Sequence, residues 1–265
     1  MDLEESDNRF SIGAVNISLV NMQTAVNAIE KKVGEKKSAY ICVTNVRTSM
    51  LSQRDREYCQ IQNDSYLTVP DGKPLVWFAH LLGEKSCERV CGVDLMQEIF
   101  ALSAEKGYSH YFYGSTEDVL EKMELQLTDL YPGMALKGFF SPPFRELSDV
   151  EIDEFVNQIN TIRPTFLWVG LGAPKQERFM KKVVLRLDGV ILVGVGLAFE
   201  YIAGTVMRAP IWMQRNGLEW AYRSVQQPAK IRRFIGPFFK FLWMLFLQSV
   251  GQLAQKILCK AKVKK

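Results

Sequence analysis

The 265-residue sequence holds only two histidines, His80 and His110, and an odd five cysteines, Cys42, Cys59, Cys87, Cys91 and Cys259, none of them in a Cys-x-x-Cys pair. That poverty excludes a disulfide framework and a cysteine-based zinc site, and fits reduced thiols in a cytosolic compartment. His-Glu-x-x-His is absent. So is an Asp-x-Asp pair that could hold a divalent cation against a nucleotide diphosphate, and the simpler expectation is chemistry without a metal. The strand–helix junctions carry neither Gly-x-Gly-x-x-Gly nor a Walker lysine motif, which weakens readings built on NAD or ATP, and no cofactor is expected. Long apolar runs are missing too. The longest, Pro237 to Val250, is fourteen residues interrupted by Lys240 and Gln248, whereas crossing ~30 Å of hydrocarbon takes about 20. The first twelve residues carry Asp2, Glu4, Glu5 and Asp7 where a secretory signal would be basic, so the expectation is a chain that stays in the cytoplasm.

Acids are nearly missing from one end. Residues 208–265 contain twelve Lys or Arg and a single acid, Glu219, a balance of +11; residues 1–207 contain 21 basic and 28 acidic side chains, a balance of −7. The modest net charge of +4 hides this opposition. A basic end implies an anionic partner, either nucleic acid or the phosphate surface of a membrane. Aromatics such as Phe234, Phe238, Phe239, Phe241 and Trp243 cluster beside aliphatic residues instead of alternating with basic ones, so an anionic membrane surface is favoured and nucleic acid is not. The composition change near Arg208 divides the chain into a body, residues 1–207, and a basic amphipathic helical appendage, residues 208–265. Two readings of the appendage stay open: a helix that docks on lipid, and a core helix that packs on the body.

What is present is a core former. With 48% apolar and 23% charged residues the chain is globular, and its length suits one or two domains. The first 200 residues alternate short β-branched or aromatic runs with amphipathic stretches. Strands are expected at Ala39–Thr44, Tyr66–Val69, Ser109–Tyr113, Met134–Phe139, Thr165–Val169 and Val190–Val193. Helices are marked by Met22, Ala25, Val26, Ile29 and Val33 after an N-capping Asn21, by Leu95, Ile99 and Leu102, by Val119, Met123 and Leu127, and by Val150, Phe155 and Ile159. This is the pattern of an α/β, doubly wound, mostly parallel, Rossmann-like sheet, in which ligands sit beyond the carboxyl ends of the strands.

The loops at those ends carry the polar groups: Thr44-Asn45-Val46, Pro70-Asp71-Gly72, Gly114-Ser115-Thr116-Glu117 and Gly170-Leu171-Gly172-Ala173-Pro174-Lys175-Gln176-Glu177. Gly114 would let backbone approach an anion, and Ser115 or Thr116 could cap the next helix, whose N-terminal amides attract phosphate; an ordinary capped helix start fits equally. In the denser loop, Pro174 is expected as the first helical residue, and Gly170, Gly172, Lys175 and Gln176 suit a diphosphate or a sugar. Glu177 reads as a counter-charge to the helix macrodipole. Gly194-Val195-Gly196 repeats the pattern more weakly. Asp71-Gly72 is a turn, and its place at a strand's carboxyl end also suits Asp71 as a general base. His110 in a strand and His80 in a helix read as structural.

Taken in order, Thr44-Asn45, Val69-Pro70-Asp71-Gly72 with Val76-Trp77, Gly92-Val93-Asp94-Leu95-Met96, Gly170 to Glu177, and Arg208-Ala209-Pro210 running to Gly217-Leu218-Glu219-Trp220 and Arg223 resemble the WecG/TagA/CpsF glycosyltransferases, family 26. The resemblance spans roughly residues 12 to 235. It implies inverting transfer of a sugar, commonly of N-acetylmannosamine type, from a UDP-sugar donor to a polyprenyl-diphosphate-linked saccharide at the inner face of a bacterial cell membrane. It also implies Asp71 as base, with Thr44 and Gln176 beside the substrate. Substrate contacts are then expected from Asn45, Gly72, Gly114, Ser115, Gly172, Lys175, Arg223, Arg232 and Arg233. After Arg223 the family usually continues with Glu-Pro and several arginines; here Gln227-Pro228-Ala229 stands before Arg232 and Arg233. Other readings stay open: a Rossmann-type transferase or oxidoreductase, which would bind NAD or S-adenosylmethionine in place of UDP, and a non-enzymatic nucleotide- or lipid-binding membrane-surface protein. The homo-oligomeric state is open as well.

Overall fold

A computed structural model describes residues 8–226 and 236–248. Arg232, Arg233, the Gln227-Pro228-Ala229 departure and the terminal lysines therefore lie outside the described residues.

Six strands form one parallel sheet: β3 (Ala39–Thr44), β4 (Leu67–Pro70), β5 (Ser109–Gly114), β6 (Ala135–Phe140), β7 (Phe166–Gly170) and β8 (Ile191–Gly194), in the order β4-β3-β8-β7-β5-β6. All six expected strands are found, most displaced by one residue towards the C-terminus. Helices α1 (Met22–Gly34), α5 (Gly92–Lys106), α6 (Glu117–Leu130) and α7 (Asp149–Ile162) fall on the expected periodic stretches. The Asn21 cap is a full capping box, with Asn21 accepting from the Thr24 amide and Thr24 returning the bond. Helices α4 (Lys73–Leu82), α8 (Lys175–Val183) and α9 (Ala198–Ile202) follow β4, β7 and β8. Pro70 is tolerated as the last residue of β4 because that strand is at the sheet edge.

Alternation along each strand divides the core between the two faces of the sheet. Ile41 and Val43 of β3 pack with Leu67, Phe112, Trp168 and Ile191 against α1, α5 and α6, whereas Tyr40 and Cys42 pack with Tyr111, Leu167 and Leu192 against α7 and α8. This two-sided burial is why the strands read as continuous apolar runs.

The sequence pattern gave no sign of four elements in the N-terminal part of the chain. The chain opens with an antiparallel hairpin, β1 (Arg9–Ile12) and β2 (Val15–Ser18), whose turn is made by Gly13 at φ 58°; two short helices, α2 (Val46–Ser52) and α3 (Arg56–Asn63), fill the β3–β4 crossover. The hairpin builds a third core cluster with α4. Phe241, from the helix formed by 236–248, is fully buried in that cluster, and Gln248 of the same helix donates to Ser11 O at 2.9 Å while accepting from Gly13 N. The turn between α10 (Ile211–Arg215) and α11 (Glu219–Gln226) lies against the N-terminal end of α4: a side chain at Gly217 would collide with Lys73 at 2.9 Å. No described helix is long and apolar enough to cross a membrane.

Candidate active site

Because the six strands are parallel, their carboxyl ends share one rim, and the Thr44, Asp71, Gly114, Gly170–Gln176 and Gly194–Gly196 loops all open onto it. Asp71 follows the edge strand β4. Its amide donates to Thr44 O at 2.7 Å, which locks it beside β3, and Asn45, the capping-box residue of α2, lies against Gly72 at its other side. Asp71 Oδ1 is shielded from solvent and makes no hydrogen bond, although the side chain as a whole keeps 23% of its surface. Burial raises its pKa above the ordinary carboxylate value, and Glu219 adds to this while Arg89, 3.6 Å from Oδ1, opposes it. A carboxylate with one oxygen enclosed and raised basicity, at the carboxyl rim of the sheet, can accept a proton from a bound hydroxyl.

Around Asp71 stands a charge network that joins body to C-terminal segment. Arg89 Nη2 lies 2.6 Å from Glu219 Oε2, the first residue of α11. Arg208 holds Asp94 through two bonds, and Arg208 Nε and Arg223 Nη2 each stand 3.9 Å from Glu219 Oε1. Arg223 also lies over the Tyr201 ring at 5.8 Å. The Nε–H groups of Arg208 and Arg223 are shielded and make no hydrogen bond. Cys91 sits inside the network, and burial lifts its thiol pKa far above normal, so it stays protonated.

The second candidate loop follows β7, which stands three strand spacings from β4, about 14 Å along the rim at ~4.8 Å per spacing. Gly172 has φ 74°, and a Cβ there would meet open space. Its amide donates to Gln176 Oε1 at 3.1 Å, and Gln176 Nε2 donates to Glu177 Oε1 at 2.9 Å. Gln176 is therefore buried beneath the loop and shapes it, while Lys175 is exposed at the helix entrance. Pro174 is the N-cap of α8 and not its first helical residue; helical geometry begins at Lys175. Glu177 is buried, with its pKa pushed up to about 7 by burial against the opposing bond from Gln176. Arg47 of α2 reaches the same loop, donating to Ala173 O at 3.4 Å.

Elsewhere the geometry assigns different reasons to expected residues. Gly114, at φ 125°, is required because a Cβ would come within 2.6 Å of the Gly170 carbonyl carbon on the paired strand. Thr116 is the N-cap of α6 but makes no side-chain cap bond, and Ser115 Oγ instead donates to Glu200 at 3.2 Å. Glu117 and Asp118 occupy that first helical turn, a poor setting for phosphate beside the one at Gly172. Thr44 is 1% exposed, and its hydroxyl is spent on buried Gln62 of α3. His110 accepts from Trp168 Nε1 at 3.0 Å through Nδ1, which leaves Nε2–H for Ser103, and His80 Nε2–H donates to Cys87 O; both are structural.

A family model described as "Glycosyl transferase WecG/TagA/CpsF family" matches residues 10–255. The chain belongs to this family. Among curated relatives of this glycosyltransferase, a Bacillus subtilis (strain 168) protein is 26% identical over 216 residues, 81% of this chain and 82% of the relative. One from Staphylococcus aureus (strain MW2) is 24% identical over 237 residues, 88% of this chain and 91% of the relative. Both are named N-acetylglucosaminyldiphosphoundecaprenol N-acetyl-beta-D-mannosaminyltransferase. The rim of this glycosyltransferase brings together Asp71, Asn45, Gly72 and Arg223 around one network, sets Gly172 and Lys175 further along, and turns Thr44 and Gln176 inwards. Arg89, Arg47 and Tyr201 had no part in the sequence reading. For Arg89 the only signal was its place three residues ahead of the Gly92-Val93-Asp94 block; with Glu88 beside it and Asp94 close by, nothing local singles it out as a partner of Asp71.

Proposed function

We propose that this glycosyltransferase moves an N-acetylmannosamine-type sugar from a UDP-sugar to a polyprenyl-diphosphate-linked saccharide, with inversion and without a divalent metal, in the synthesis of a bacterial wall or surface polymer. The observation that carries it is Asp71, partly shielded and of raised basicity, on the rim of a chain whose relatives are named as N-acetylmannosaminyltransferases acting on N-acetylglucosaminyldiphosphoundecaprenol. Asp71 takes the proton from the acceptor hydroxyl. The hydroxyl oxygen attacks the anomeric carbon from the face opposite the nucleotide, and the bond from that carbon to the β-phosphate oxygen breaks with its electron pair going to UDP. The departing negative charge is met by the Gly172 loop, Lys175 and the arginines Arg208 and Arg223, joined by Arg232 and Arg233. Asn45 and Gly72 flank the acceptor side, and Gly114 and Ser115 the nucleotide side.

The acceptor's lipid calls for a membrane, and the helix formed by 236–248 supports docking at its inner surface. While Phe241 faces the body, Phe239, Trp243 and Phe246 keep 66, 63 and 58% of their surfaces, beside Lys240. Such a face suits burial at the headgroup boundary of an anionic leaflet.

The test is transfer from UDP-N-acetylmannosamine to a polyprenyl-diphosphate N-acetylglucosamine acceptor. Asp71→Asn preserves size and turn geometry, and is expected to lower turnover by ~10²–10⁴ with folding intact. Unchanged turnover in the folded variant removes Asp71 as base. A wild-type chain that binds UDP or lipid and transfers no sugar favours the non-enzymatic reading.

A further inference from the structure

Within the network around Asp71, Glu219 is the carboxylate that faces the base yet has no task in the transfer chemistry. Glu219 is the only acid among residues 208–265, yet it is not on the basic outer surface; its side chain is 13% exposed and reaches back onto the body. There it faces Arg89 at 2.6 Å, while Arg89 stands 3.6 Å from Asp71. A single guanidinium is therefore divided unequally between two carboxylates, close to the one outside the body and too far from Asp71 to hydrogen-bond it. Asp71 Oδ1 is left shielded and without a hydrogen bond.

We propose that Glu219 is a positioning residue that keeps Asp71 basic by drawing Arg89 away from it, so that seating the C-terminal segment on the body arms the base. The inference rests on Asp71 as the base. With α11 in place, Glu219 holds Arg89 and its own negative charge faces Asp71; both effects favour a carboxylate that takes up a proton. With Glu219 absent, Arg89 is free to close on Asp71, and a carboxylate in a direct pair with arginine is a weak base. The remaining groups around Asp71 are Cys91 and Asp94 at the start of α5, Tyr201 of α9, and Arg208 and Arg223 of the C-terminal segment. The Cys91 thiol and the Tyr201 hydroxyl are both held protonated by burial, Arg208 is committed to Asp94, and Arg223 lies over the Tyr201 ring with a smaller effect on Asp71 than Arg89, so Arg89 and Glu219 are the pair whose balance can change most.

The experiment titrates the Asp71 carboxyl directly, by ¹³C NMR of the aspartate-labelled full chain, with the signal assigned by its loss in Asp71→Asn. In Glu219→Gln its midpoint is expected about one pH unit below wild type, and the acidic limb of kcat/KM for transfer should move the same way. Arg208→Gln loosens the same segment through its bond to Asp94 but leaves the Arg89–Glu219 contact, so it should raise donor KM and move the Asp71 midpoint in the same direction by clearly less than Glu219→Gln. An Asp71 midpoint unmoved in Glu219→Gln, or moved equally by Arg208→Gln, overturns the proposal. Because the midpoint is read without turnover, a chain that titrates as expected but transfers no sugar would count against the enzymatic reading and not against the coupling.

Discussion

Arg208 grips Asp94 with two parallel bonds, Nη1 to Oδ1 at 2.5 Å and Nη2 to Oδ2 at 2.8 Å. The guanidinium begins the basic C-terminal segment and the carboxylate lies in the first turn of α5, so one bidentate pair clips together parts of the chain 114 residues apart. Arg208→Lys keeps the charge and loses the fork. The expected cost is about 1 kcal/mol, because both groups are partly exposed, together with faster protease cleavage after residue 207. Digestion at the wild-type rate would mean that the clip does not hold the segment.

His110 supplies a pH prediction. Burial pushes its pKa down to about 3, against an unfolded value near 6.5. The folded state thus refuses a proton that the unfolded chain accepts, so its contribution to stability is complete above pH 6.5. It is lost as pH falls from there towards 3, by on the order of 1.4 kcal/mol per pH unit. His110→Gln retains an acceptor for Trp168, and its Tm should fall less steeply than wild type between pH 6 and 4. Parallel Tm curves would show that His110 does not titrate on unfolding.

Glu177 acts in the opposite sense. Its pKa is raised to about 7, so its contribution is fully favourable below the unfolded value near 4.5 and fades as pH rises through 7, where folding must carry a buried carboxylate. Urea unfolding at pH 8 should find Glu177→Gln more stable than wild type by on the order of 2 kcal/mol, with the difference shrinking towards pH 4.5. A Glu177→Gln variant less stable at pH 8 would show instead that an ionised Glu177 is needed to hold Gln176.

The helix formed by 236–248 separates two roles by face. Phe241→Ala removes a fully buried ring and should cost about 3 kcal/mol, read as a fall in Tm. Trp243→Ser with Phe246→Ser alters only exposed rings, so Tm should hold while flotation with anionic vesicles is lost. If the double variant still floats, lipid is bound elsewhere on the chain.

Elements whose signal is local were legible in advance. The strands announce themselves as apolar runs, α1 by Asn21 and its 3.6-residue stripe, and the rim loops by their glycines, because strand burial and helix capping depend on neighbours a few residues away. The hairpin of β1 and β2 escaped notice because its partners, α4 and Phe241, are far along the chain, and its strands, Arg-Phe-Ser-Ile and Val-Asn-Ile-Ser, mix polar with apolar residues instead of forming an apolar run. Similarly, the apolar run after Pro237 declared a helix but not which side would be covered. That was settled by the cluster containing Phe10, Ile12 and Leu75, which takes Phe241 and leaves Trp243 outside.

The same division runs through the candidate site. By itself the sequence determined the parallel α/β architecture, the family, the rim loops and Asp71 as the carboxylate of interest, since each is written in residues adjacent in the chain. Only the tertiary structure decided what surrounds them. Thr44 and Gln176 turn inwards to Gln62 and Glu177, Gly114 is a glycine because Gly170 presses on it, and Arg89 stands between Asp71 and Glu219. The basicity of a carboxylate depends on burial and on charges within a few ångströms, and here those charges come from residues 18 and 148 positions further along the chain, which only the folded chain brings together.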